Sequence, residues 1–202
     1  IGSGLVGSEM CIRDRAYPLR TDTPYTEDMN KRISPEAVMH LLQFTDSTFP
    51  VGTFSFSNGL ETASFEKVVH DAPSLEAFTW SQAVQAAFSD GVAAIHSHRA
   101  FLRGDYDGVA EADRMLILFK MNAEARLMLC RMGKKLAELA GHLFESDLIS
   151  RWLDDIKASE VPGTYPVGQG MAYAAAGVNE RDMFCAHQYG AVSYTHLRAH
   201  ET

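Results

Sequence analysis

The chain has 202 residues, 46% of them hydrophobic and 22% charged, with a net charge of −8. That length is ample for one domain and too short to expect two. An acidic balance without a long basic stripe excludes a reader of phosphate backbones, and no apolar run approaches the roughly 20 residues needed to span a bilayer.

The two ends read as foreign to the rest. Val192 to Thr202 and Leu5 to Arg15 back-translate, with ordinary codons, to one DNA element resembling a sequencing adapter, read on opposite strands. Residues 1–15 and 192–202 are therefore expected to be non-native, with Cys11, His196 and His200 outside the functional inventory. Their charges balance, so the net charge of −8 survives their removal. Cys130 and Cys185 then remain, with no CxxC and no disulfide framework, which fits a reducing, cytoplasmic setting. No secretory signal is visible.

Residues 16–33 are polar, carry Pro18 and Pro24, and read as a flexible lead-in. Ser34-Pro35-Glu36 predicts a helix start, with Ser as N-cap, Pro in the first turn and Glu at the positive end of the dipole. Val38, Leu41 and Leu42 continue that helix to about Phe44. The stretch from Phe49 to Gly59 reads as an ordered, partly apolar connection, because Pro50 suits no helix interior and Gly52 and Gly59 permit unusual backbone angles. A short helix follows over Leu60 to Val68. After Asp71-Ala-Pro-Ser74, the spacing of Leu75, Phe78, Ala83, Val84, Ala87 and Phe88 predicts a helix to about Asp90, broken or bent at Gly91. Helices are then expected over Val92 to Leu102, Tyr106 to Phe119, Asn122 to Phe144 and Ser146 to Ile156. Glu160 to Tyr165 reads as loop. A small-residue helix follows over Val167 to Ala176, stopped at Gly177, and a last helix starts at Asn179. No alternating strand run occurs. The fold class is all-α, a single-domain bundle of about eight or nine helices spanning 34–191.

Few constellations suggest chemistry. No GxxxxGK[ST] loop, GxSxG elbow or HExxH pair is present. His96-Ser97-His98 on a helix places its imidazoles on different faces, so they cannot share one ion; Cys185 and His187 have the same spacing. A helical enzyme using His96 or His98 as acid or base remains one reading, and a helical adaptor another. Arg126, Cys130 and Lys134 stand at i, i+4 spacing, with Arg131 and Lys135 beside them, forming either a solvated basic face or a dock for an acidic partner. Gly133 within that helix points to a close approach, inside the protein or across an interface.

The run Phe49-Pro50-Val51-Gly52-Thr53-Phe54-Ser55-Phe56-Ser57-Asn58-Gly59-Leu60-Glu61, preceded by Leu41-Leu42-Gln43, resembles the N-terminal signature of the urease accessory protein family UreF. Glu124-Ala-Arg126 with Arg131-Met132-Gly133-Lys134-Lys135-Leu136 adds to the likeness. So does Pro166-Val167-Gly168-Gln169-Gly170, leading to Ala174-Ala175-Ala176-Gly177 and Tyr189-Gly190. The resemblance spans Val38 to Ala191. It implies a non-enzymatic, all-helical chaperone subunit without a resident cofactor, commonly homodimeric, whose partners are UreD (UreH), the GTPase UreG and apo-urease, into which nickel is delivered. It also implies further helices beyond Tyr189-Gly190, missing from this chain. Its signature and partner-binding candidates are Phe49, Pro50, Gly52, Phe54, Ser55, Ser57, Gly59, Leu60, Glu61, Arg126, Arg131, Gly133, Lys134, Pro166, Gly168, Gly170 and Tyr189. Arg126 or Arg131 would act as a docking residue or as an arginine donated to the GTPase.

Overall fold

The computed structural model describes residues 33–46, 48–52 and 58–199, with side chains to 193. The polar lead-in and the first foreign-looking segment lie outside these residues, as do Phe54, Ser55 and Ser57 of the signature. Among the described residues the order is α1 (Pro35–Thr45), α2 (Leu60–Phe65), α3 (Ala72–Phe88), α4 (Asp90–Leu102), α5 (Tyr106–Phe119), α6 (Ala123–Leu143), α7 (Asp147–Lys157), α8 (Tyr165–Ala175) and α9 (Glu180–Ala199), with no strand. The all-α expectation holds.

Local chemistry sets most boundaries. Ser34 accepts from the Ala37 N–H at the head of α1, and Asn122 from Glu124 at the head of α6. Asp71 and Ser74 form a reciprocal capping box at α3. α8 ends in a Schellman motif: Val178 N–H donates to the Tyr173 carbonyl and Gly177 N–H to that of Ala174, with Gly177 at φ 73°.

Four boundaries differ from the sequence reading. α2 stops at Phe65 rather than Val68. The α3–α4 break falls at Ser89, and Gly91 is instead an intimate contact, since a Cβ there would meet the Phe184 ring at 2.6 Å. α8 begins at Tyr165, because Pro166 occupies its first turn, where the missing N–H costs nothing. α9 continues through Ala199, inside the segment expected to be foreign.

α8 is the hub. Every residue from Tyr165 to Ala174 is buried. It packs most extensively on α4, then on α6, and also touches α9, α1 and α5. Its small residues permit this. A Cβ on Gly170 would overlap Ser97 Oγ and the Ala94 carbonyl of α4, and one on Gly168 would lie 2.9 Å from the Trp152 ring. The core around it contains Trp152, Tyr173, Leu136, Ile149, Met171 and Met183, each nearly inaccessible.

One buried carboxylate organises the approach to α8. Asp113 of α5 accepts from Trp152 Nε1 at 3.1 Å, Gly163 N–H at 2.8 Å, Thr164 N–H at 2.8 Å and Thr164 Oγ1 at 2.6 Å. It thus ties α7 and the 161–164 turn to α5. Burial pushes its carboxyl above the usual range, while the bonds from Thr164, Gly163 and Trp152 pull it back.

Candidate functional site

Where the signature run is described, it faces inward more than outward. Phe49 and Val51 are buried, and Pro50 between them is exposed. Phe49 meets Phe44 edge-on at 5.2 Å, and Phe44 meets Tyr173 of α8 at 5.5 Å and Phe144 at 6.2 Å. The run is therefore stapled to the hub helix through aromatic edges. Gly59 caps α2 at φ 86° and Gly52 stands at φ 88°, backbone that other residues rarely adopt. Leu60 is buried and Glu61 exposed at the start of α2. Phe49→Ala is expected to cost about 3 kcal/mol; a thermal melt checks this, and an unchanged midpoint would show that the aromatic staple contributes nothing.

The second motif divides between core and surface. Gly133 is buried, and its Cβ would lie 2.6 Å from the Thr164 carbonyl carbon and 2.7 Å from the Tyr165 nitrogen. The close approach is thus internal, against the backbone leading into α8 rather than another helix. Arg126 is exposed, but its guanidinium turns back on its own chain: Nε donates to the Lys120 carbonyl and an Nη to that of Met121. Arg131, Lys134 and Lys135 are exposed along α6, and Lys135 pairs with Glu138 at 3.1 Å.

In the third motif, Pro166, Gly168 and Gly170 are all buried, while Tyr189 on α9 is 61% exposed. Tyr189 borders an open cleft between α1 and α9 with Leu41, Leu42, Asp182 and Cys185.

The histidine pair lacks convergence. His96 is exposed, whereas His98 is buried with Nε2 on the Val178 carbonyl at 2.8 Å, holding the α8–α9 turn. Neither residue lines the cavities beside α2, under α9, between α1 and α9 or at the 159–162 turn. Among the described residues no group of three His, Cys, Asp or Glu is placed to hold a metal ion, and no helix is long and apolar enough to cross a membrane.

The sequence reading missed two features. One is Asp113, whose burial no local pattern announces. The other is a polar set beneath α9: His187 Nδ1 meets Gln169 Oε1 at 2.9 Å, and Gln169 Nε2 donates to Tyr165 Oη at 3.3 Å. A nearly buried Lys120–Asp90 pair at 2.6 Å stands nearby. The exposure of the apolar stripe of α3 is a further feature that the spacing alone does not give. Only Ala86 is fully buried there, while Trp80, Val84 and Phe88, spaced i, i+4 and i+8, project outward at 62%, 39% and 81% exposure. The ridge stands on a helix with Glu76 as its one charged residue, so it is an exposed apolar stripe.

By class, the described residues form an all-helical domain with exposed apolar and basic faces and with glycines used for packing. The UreF family model matches residues 69–195. The chain is 45% identical to Urease accessory protein UreF 2 of Brucella canis over 175 residues, which is 87% of this chain and 72% of that relative. It is 46% identical to Urease accessory protein UreF of Yersinia enterocolitica over 162 residues, 80% of this chain and 71% of the relative. The chain belongs to the UreF family of urease accessory proteins. These relatives carry the name of accessory proteins rather than enzymes, and the reading of His96 or His98 as catalytic falls with that.

Proposed function

We propose that this chain is a docking subunit of urease maturation. As a homodimer with UreD (UreH), it holds the GTPase UreG and regulates its turnover while nickel passes to apo-urease. Family membership supplies the process. The observation that carries the docking role is the exposed basic row on α6. Arg131 and Lys134 stand on the surface of an otherwise acidic molecule and make no hydrogen bond or ion pair among the described residues. A rigid helix carrying unpaired cations steers and orients an acidic partner face.

Arg131 suits this role better than Arg126, whose guanidinium already braces the turn between α5 and α6. The double substitution Arg131→Glu, Lys134→Glu is expected to weaken binding to the UreG-containing complex at least about tenfold, roughly 1.4 kcal/mol. Both side chains are exposed, so the melt should stay within about 0.5 kcal/mol of the parent. Binding by calorimetry and GTP turnover are the readouts. Loss of turnover with intact binding for Arg131→Ala would assign it to the phosphoryl group instead. If both substitutions leave binding and turnover intact, α6 is not the docking face. The wider role is tested by complementing a urease-positive strain that lacks its own UreF.

A further inference from the structure

The last helix is held by a histidine in an unusual position. His187 projects from α9 into the body and is only 7% exposed. Its Nδ1 is engaged by Gln169 of α8, and its Nε2 makes no hydrogen bond of ordinary geometry among the described residues, although the Ala86 carbonyl acts on the ring. The ring borders a small cavity together with Phe44, Thr45, Ala86, Met128, Leu129 and Met132. Asn58 and Asp90 also reach this cavity, but most of its wall is apolar and offers a cation little solvation.

The charged and titratable groups around the ring come from each element packed on it. α4 brings Asp90, and the chain between α5 and α6 brings Lys120, but these two are already paired at 2.6 Å. α8 brings Tyr165, and α3 presents the Ala86 carbonyl without a charged group. α9 itself carries Asp182 and Cys185 towards the other cleft. Glu61 and Glu124 line the wider opening next door. No carboxylate is thus left unmatched beside the imidazole. Burial lowers its proton affinity; Asp90 works against this, Lys120 adds to it and the Ala86 carbonyl opposes it.

We propose that His187 is a proton-sensitive latch that holds α9 onto α3 and α8 when neutral and loosens it when protonated. The sign follows from linkage. A histidine whose proton affinity is lowered in the docked state is protonated first in the undocked state. Docking is at full strength above the ordinary histidine range. It weakens as pH falls below about 6.5 and continues to weaken until the docked ring itself titrates. α9 forms one wall of the α1–α9 cleft that Tyr189 and Leu42 border, so acidification reshapes that cleft. α4 and α8 also meet through Gly170 against Ala94 and Ser97, and through Ser97 Oγ on the Val167 carbonyl; none of these titrates, and that contact stays closed.

Hydrogen exchange on the full chain tests this. Between pH 6.5 and 5.5 the protection factors of α9 amides are expected to fall up to about fivefold, while those of α4 and α8 hold. In His187→Gln, which keeps a polar partner for Gln169 but cannot titrate, α9 protection should be flat over that range. An equal fall in the variant, or no fall in the parent, overturns the latch. Should His187→Gln fail to fold, 15N spectra of the parent's imidazoles decide. A His187 ring that stays neutral to well below pH 6.5, and titrates as α9 loosens, supports the latch. A ring that titrates in the ordinary range while α9 stays protected overturns it.

Discussion

Replacing Asp113 with Ala is expected to destabilise the protein by roughly 3–5 kcal/mol. The substitution strands four donors in the interior: the Trp152 indole N–H, the backbone N–H groups of Gly163 and Thr164, and the Thr164 hydroxyl. A buried donor left without a partner costs about 1–3 kcal/mol, and water admitted by the smaller side chain offsets only part of the sum. Against a domain stability of about 5–15 kcal/mol, the loss should lower the thermal midpoint by roughly 10 °C. Asp113→Asn is the sharper variant. It keeps the volume but turns an amide NH2 towards groups that are themselves donors, so about 2–4 kcal/mol should still be lost. A melt of Asp113→Asn matching the parent would show that shape alone, rather than the accepting carboxylate, holds the 161–164 turn.

Gly170→Ala should be comparably severe, although it adds one methyl group. Its Cβ would overlap the Ala94 carbonyl and Ser97 Oγ and lie 3.0 Å from the His98 nitrogen. Two of those atoms are helix backbone and cannot move aside as a flexible side chain would. α4 and α8 must separate along their main contact, and overpacking of this kind costs about 1–3 kcal/mol or more. Gly133→Ala meets the backbone of residues 163–165 in the same way. Gly141→Ala is the control: nothing lies within 4 Å of its added Cβ, so it should be neutral or stabilising by up to about 1 kcal/mol. Equal stability of all three variants in denaturant titrations would remove close backbone approach as the reason for these glycines.

These glycines also show where a motif stops speaking about partners. The UreF-like pattern of Gly133, Pro166, Gly168 and Gly170 is legible in the sequence, yet all four residues are buried. They shape the seat of α8. The signature run behaves alike in its described part, with Phe49 and Val51 inside and Pro50 and Glu61 outside. The basic row of α6 also remains accessible, because α6 turns Met132, Leu136 and Ala140 towards the core and so leaves Arg131, Lys134 and Lys135 in solvent.

Local chemistry made the elements readable. Caps such as Ser34, Asn122 and Ser146 satisfy N–H groups within a few residues, so the sequence holds both partners of each bond. The helix Tyr106–Phe119 could be bounded from sequence for the same reason, as could the stop at Gly177. The apolar spacing of α3 is equally visible and predicts the helix that forms, but not which side of it is covered. Periodicity shows that a helix has an apolar stripe without showing what lies opposite it. Only the fold decided that Trp80 and Phe88 meet solvent while α8 meets protein on every side. The same limit hid the Asp113 clamp, which joins residues 39 to 51 positions apart, and the contact of His187 with Gln169 18 positions away. Family, helical class and helix ends were written in neighbouring residues. Which charges are buried, which glycines are touched and which faces stay bare depend on contacts between distant segments, and those exist only once the chain has closed around α8.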